Sequence, residues 1–215
     1  LTFNNASGSW LFGSAVDVNN DFTITNGAVA CGAYDVEIGG SFTNNGTFTT
    51  TGTFTFNATD TGNTITLGAS PLYNVVFNGV GGIWTMQDAA IDINNDITIT
   101  NGTVAFGAHA VTIGGNFTNS GTFTTTGTFT FDGIAAGKTI TSGGSNLYNV
   151  VINSADGNGA WTIQDTTAMN ALTITSGSLS CGSAAVTIYT TFIQTGGAFT
   201  ASSGMTTVYS TFART

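Results

Sequence analysis

Apolar residues recur along this chain at every second position. Phe22 and Ile24 alternate with Thr23 and Thr25, Ile97 and Ile99 with Thr98 and Thr100, and Leu172 and Ile174 with Thr173 and Thr175. A period of two puts alternate side chains on opposite faces of a pleated backbone. These segments are therefore predicted strands with an apolar face and a threonine face. No stretch carries the i, i+3, i+4, i+7 stripe of an amphipathic helix, so almost no helix is expected. Turn signals fall at Asn26-Gly27, Asn101-Gly102 and Ser176-Gly177, and at Gly39-Gly40 and Gly114-Gly115, where Gly and Asn tolerate positive φ.

The segments are copies of one another. Leu72-Tyr73-Asn74-Val75-Val76 returns 75 residues later as Leu147-Tyr148-Asn149-Val150-Val151, and Gly52-Thr53-Phe54-Thr55-Phe56 as Gly127-Thr128-Phe129-Thr130-Phe131. Val36-Glu37-Ile38 returns as Val111-Thr112-Ile113 and Val186-Thr187-Ile188. The chain reads as nearly three copies of a 75-residue unit, at 1–71, 72–146 and 147–215. The third copy drifts after Ile188, where Tyr189-Thr190-Thr191 replaces a Gly-Gly corner.

Short alternating strands joined by tight turns predict an all-β fold, a parallel β-helix (β-solenoid) in one body. Three rungs per unit would give about eight or nine rungs, a rod of roughly 40 Å at ~4.8 Å per rung. A residue 75 positions later would then sit three rungs up the same column. Parity places Trp10, Trp84 and Trp161 inward, with Cys31, Phe106 and Cys181 in a packing column. The same parity places Asn20, Asn95 and Asn170 inward at a corner, where buried amides need partners. The competing arrangement is a tandem of β-sandwiches, although no Pro- or Ser-rich linker separates the copies.

Composition changes the picture of function more than of fold. Only 6% of residues are charged, against about 25% in an ordinary soluble domain, and Lys138 and Arg214 are the only basic residues. With a net charge of -9, the chain is no nucleic-acid binder that neutralises phosphates. No apolar run approaches the ~18 residues of a membrane span. No signal peptide is recognisable, and the chain reads as a mature product or a piece of something longer.

The run Leu172-Thr173-Ile174-Thr175-Ser176-Gly177-Ser178-Leu179, followed by Val186-Thr187-Ile188, resembles the Gly/Thr/Asn-rich β-strand repeats of large bacterial and archaeal surface proteins. So does the stretch 115–123. The resemblance spans nearly the whole chain and is compositional. It implies a parallel β-helix in a secreted adhesin, sheath or fibre protein, and it carries over no catalytic residue.

Several residues could carry chemistry. Asp17, Asn19 and Asp21, and again Asp92, Asn94 and Asp96, share outward parity and offer oxygens suited to Ca²⁺; a solvated corner explains them equally. No other cofactor is expected. Asp88 and Asp165 each follow a Trp-Thr-x-Gln run, but three rungs apart they exceed either glycosidase separation. His109 stands alone, which argues against zinc. Cys31 and Cys181, about six rungs apart, are too distant for a disulfide and read as buried thiols. Asn5, Asn45, Asn57, Asn101 and Asn116 begin Asn-X-Ser/Thr sequons.

The expected role is non-enzymatic. Leu1-Thr2-Phe3 and the stretch containing Thr207, Val208, Tyr209 and Phe212 read as open strand edges without caps. Copies adding end to end would build an extracellular fibre, sheath or adhesin stalk. The alternative is a binding module whose Thr/Asn faces engage glycans or ice at a cell surface.

Overall fold

A computed structural model describes all residues except Ser210 and Thr215. Among the described residues there is no helix, and the chain winds as a parallel β-solenoid of about 11 turns. At ~4.8 Å per turn that is a rod of roughly 50 Å. Every pairing between strands of neighbouring turns is parallel, as a solenoid requires. The tandem of sandwiches is excluded by this continuous parallel ladder.

Each turn has three faces. The first stacks Phe22, Phe42, Ile65 and Met86, with Phe3, Ile24 and Asn44 in the neighbouring column. The second stacks Leu72, Ile93, Ile113, Phe131, Ile152, Ile174 and Gln194 in succession. The third stacks Val18, Ile38, Phe56, Phe77, Ile99 and Asn119. Steps along that third column run from 18 to 22 residues.

The count of eight or nine rungs is therefore too low, for an identifiable reason. Several strands cross two faces without a formal turn. Phe22–Gly32 pairs with Phe42–Asn44 through its first half and with Thr47–Thr50 through its second. The corner between the halves is Asn26-Gly27, a register shift inside a continuous strand. Thr2–Leu11, Asn74–Met86 and Ile97–Gly107 bend the same way.

A further correction follows from the register. Three turns from Ile24 lead through Asn44 and Ile65 to the strand of Met86, and two more faces lead to Ile99. One 75-residue unit thus spans three and two-thirds turns. Ile24, Ile99 and Ile174 lie on the first, third and second faces, not in one column. The same unit is presented on each face in rotation, and three units restore the starting phase.

The core is a dry axis filled from all three faces. Phe42, Phe48 and Phe54, one from each face, meet edge to face with centroids 5.1 to 5.6 Å apart. Their counterparts Phe117, Phe123 and Phe129 rebuild the triad at 5.2 to 6.0 Å. Such contacts add about 0.5–1.5 kcal/mol per pair beyond burial. In the third copy Phe192 packs on Phe199 and Phe212, and Thr206, paired with Val186 as Phe54 is with Val36, stands where the third ring would be.

Candidate functional site

The acidic corner residues face their own backbone. Asp21 accepts the Ser41 amide N–H at 2.8 Å, and Asp96 accepts that of Asn116 at 2.7 Å and its side-chain amide at 3.0 Å. Asp17 stands outward, opposite Glu37 on the next turn, and Asp92 opposite Thr112. Asn19 and Asn94 are exposed at the corners between. Among the described residues no group of three or more His, Cys, Asp or Glu side chains could hold a metal. In the Asp17-Asn19-Asp21 and Asp92-Asn94-Asp96 sets, the Oδ1 of Asp21 and of Asp96 is taken by amide donors of the next turn.

Asp88 and Asp165 serve corners too. Asp88 accepts the amides of Leu67 and Gly68. Asp165 accepts those of Ser142 at 2.9 Å and Gly143 at 2.6 Å, and the Ser142 hydroxyl at 3.1 Å. Each carboxylate pins the preceding turn. Burial raises the carboxyl pKa of Asp92; burial, then the Asp92 charge, raises that of Asp132. At the exposed loop carrying Asp156, the backbone N–H and side-chain amide of Asn158 lower the carboxyl pKa.

The asparagine column departs from expectation. Asn20 is exposed, and Asn95 and Asn170 are only half-buried. The amides of the latter two reach sideways along the corner, Asn95 to Asn74 at 2.8 Å and Asn170 to Asn149 at 3.1 Å. The corner residue turns away from the axis, so strand parity no longer applies to it. The inward polar positions are instead Asn44, Asn119 and Gln194, also 75 apart and all buried. Asn44 donates to Leu67 O at 2.7 Å and Ser70 Oγ at 3.1 Å, and accepts the Gly46 N–H at 3.1 Å. Asn119 donates to Ser142 O at 2.8 Å, and Gln194 to Gly197 O at 3.0 Å. Parity with Phe42, Phe117 and Phe192 was the available signal.

Trp84 and Trp161 are fully buried, whereas Trp10 in the first turn is half-buried against Phe3. Trp161 Nε1 donates to Gly115 O at 3.0 Å; Trp84 Nε1 has no protein acceptor among the described residues. Cys31, Phe106 and Cys181 are all buried, but on three different faces. The two cysteines are free thiols. Seven turns separate them, roughly 34 Å at the usual spacing. Burial raises their pKa values to about 12 for Cys31 and about 11 for Cys181. His109 is half-buried. Of the sequon asparagines, Asn57, Asn101 and Asn116 donate their amides to Glu37, Asn78 and Asp96, while Asn5 and Asn45 are exposed.

The ends of the rod differ from its sides. Among the described residues, Thr2 and Phe3 pair only with Thr23 and Ile24, and Thr206–Val208 and Thr211–Arg214 only with Val186–Gln194. Leu1 and Leu11 are exposed in the first turn, and Met205, Tyr209 and Phe212 in the last.

One lateral feature was not anticipated. Leu147 pairs with Met169, Met169 with Ile188, and Ile188 with Val208. The residues that follow these, Tyr148, Asn170, Tyr189 and Tyr209, therefore form an outward column on four successive turns. Tyr189 and Tyr209 stack with centroids 6.0 Å apart and planes 12° from parallel. A cavity of about 170 Å³ opens between Tyr148 and Tyr189, lined also by Thr125, Asn146, Leu147, Met169 and Asn170.

Compared with the models of known families, with curated proteins and with solved structures, the chain finds no match.

Proposed function

We propose that this chain is a non-enzymatic, secreted structural protein, a building block of an extracellular fibre, sheath or adhesin stalk that adds end to end. The observation that carries this reading is the unbroken parallel ladder of about 11 turns, whose first and last described turns hold strands paired on one side only. Unpaired strand edges template further strands, and here the natural partner is another parallel turn of the same geometry. The contact is head to tail and does not close, so it propagates. The phase of the repeat favours it. Three full 75-residue units would wind 11 turns and return to the starting face, so turns added in that register keep all three faces in line.

Low charge and unbroken pairing suit life outside the cell, where proteases meet few loops. The second-face threonine column passes from Thr112 and Thr130 to Val151, Thr173 and Ile193, so that face is not the regular array an ice surface needs.

Electron microscopy and light scattering of the purified chain test the proposal. Short rods at low concentration and filaments at high concentration are expected. The Tyr209 N–H turns inward to Ile188 O at 3.0 Å, so strand alternation points that of Val208 to the open edge. Val208→Pro removes that donor and should abolish filaments while leaving the circular dichroism of the rod intact. A wild-type chain that stays monomeric at high concentration, with its end-turn amides protected from exchange, would overturn the reading.

A further inference from the structure

We infer that the column Tyr148, Asn170, Tyr189 and Tyr209 is a lateral binding site for a neutral glycan chain. Its rings are exposed by 41% at Tyr148, 51% at Tyr189 and 70% at Tyr209, on the side of the rod. Among the described residues none of their hydroxyls bonds to protein. Exposed rings held on a rigid ladder offer flat faces whose π-electrons attract the polarised C–H groups of a sugar, with little side-chain entropy to lose.

The site departs from the repeat where binding would require it. Gly39 and Gly114, the counterparts of Tyr189, sit at a sharp corner. A Cβ there would come within 2.6 Å of Asn19 O or 2.1 Å of Asn94 O. In the third copy the corner is opened. Val186–Gln194 runs as one strand, where the first copy breaks into Val36–Ile38 and Phe42–Asn44. A register shift opposite Asn170 accommodates the change. The flattened corner gives Tyr189 its outward platform. Tyr209 likewise replaces Asn57 and Asp132, whose amides meet Ile38 O and Ile113 O as that of Tyr209 meets Ile188 O.

The lining selects the ligand class. No residue around the 170 Å³ cavity carries a charge at neutral pH. Asn170 uses one side-chain N–H on Asn149, its main-chain carbonyl accepts the Thr190 hydroxyl at 2.8 Å, and its side-chain oxygen faces outward with no protein donor among the described residues; Thr125 and Asn146 supply further polar groups. Apolar faces interleaved with amides and hydroxyls match a polyhydroxylated ring with apolar and polar sides. Tyr148 and Tyr189 are two turns apart, about 9.6 Å, so alternate sugar units of one extended chain reach both. This reading does not depend on end-to-end assembly, since Val208→Pro leaves Tyr148, Asn170 and Tyr189 in place.

The test is an array of neutral oligosaccharides, followed by pull-down on insoluble cellulose and chitin, with the full chain. Retention on at least one neutral glycan is expected. The double variant Tyr148→Ala/Tyr189→Ala should weaken it roughly tenfold or more, while Tyr34→Ala, an exposed ring elsewhere, leaves it unchanged. Unaltered circular dichroism of the double variant shows that the rod survives. No retention on any neutral glycan overturns the proposal. So does equal loss in Tyr34→Ala, or a proline-rich peptide that occupies the tyrosines in preference to every sugar.

Discussion

Asn44 and Asn119 occupy equivalent buried positions, yet their bonding differs. Asn44 meets acceptors and a donor on both ends of its amide, whereas the Oδ1 of Asn119 has no protein partner. Removing a satisfied buried amide leaves its partners unmet, at about 1–3 kcal/mol. Asn44→Ala should therefore destabilise the rod more than Asn119→Ala, measured by denaturant unfolding. The thiols make a second case. Cys31 and Cys181 stay protonated in the folded rod up to about pH 12 and 11, but ionise from about pH 9 when unfolded. Their contribution to stability is complete below pH 9 and declines as pH rises toward 11–12, since the unfolded state alone loses protons there. A Cys31→Ala/Cys181→Ala variant should show a flatter alkaline limb, and native wild type should resist thiol reagents at pH 8.

The corners decide the shape of each element. Gly102 lies inside the strand Ile97–Gly107 with φ +87, and a Cβ there would meet Gly79 O and Gly82 O, both at 2.7 Å. Gly102→Ala would force either the backbone or the preceding turn to move, costing about 1–3 kcal/mol. A drop in thermal midpoint is the readout, and an unchanged midpoint would mean that the corner relaxes freely. The strands themselves were legible in the period-two pattern. The corners were not, because a bulge inside a strand and a turn between strands carry the same Asn-Gly signature. Asn26-Gly27 shows the ambiguity: two faces meet there, but the strand does not end. That undercount of corners led to too few turns and misplaced Asn20, Asn95 and Asn170.

Across the whole molecule, each turn touches only the turns above and below, so stability is a sum over neighbours. Central turns have two neighbours and end turns one. Hydrogen exchange should be slowest near residues 97–131 and fastest in the first and last turns. Lys138 begins the strand Lys138–Thr141, paired on both sides. Native protein should resist trypsin at that site, with cleavage tracking global unfolding. Rapid cutting there would show that this turn opens on its own.

Alternation of apolar and polar residues and the 75-residue period specified strands with one apolar face, because side-chain direction in a strand depends only on parity; the parallel ladder decided between one solenoid and a tandem of sandwiches. How far each unit winds could not follow from parity. It depends on whether the backbone at each glycine corner bends through or stops, which the carbonyls of the adjoining turn decide. That winding of three and two-thirds turns sets which residues are neighbours. It scatters the cysteines over different faces and gathers Tyr148, Tyr189 and Tyr209, far apart in the chain, into one column.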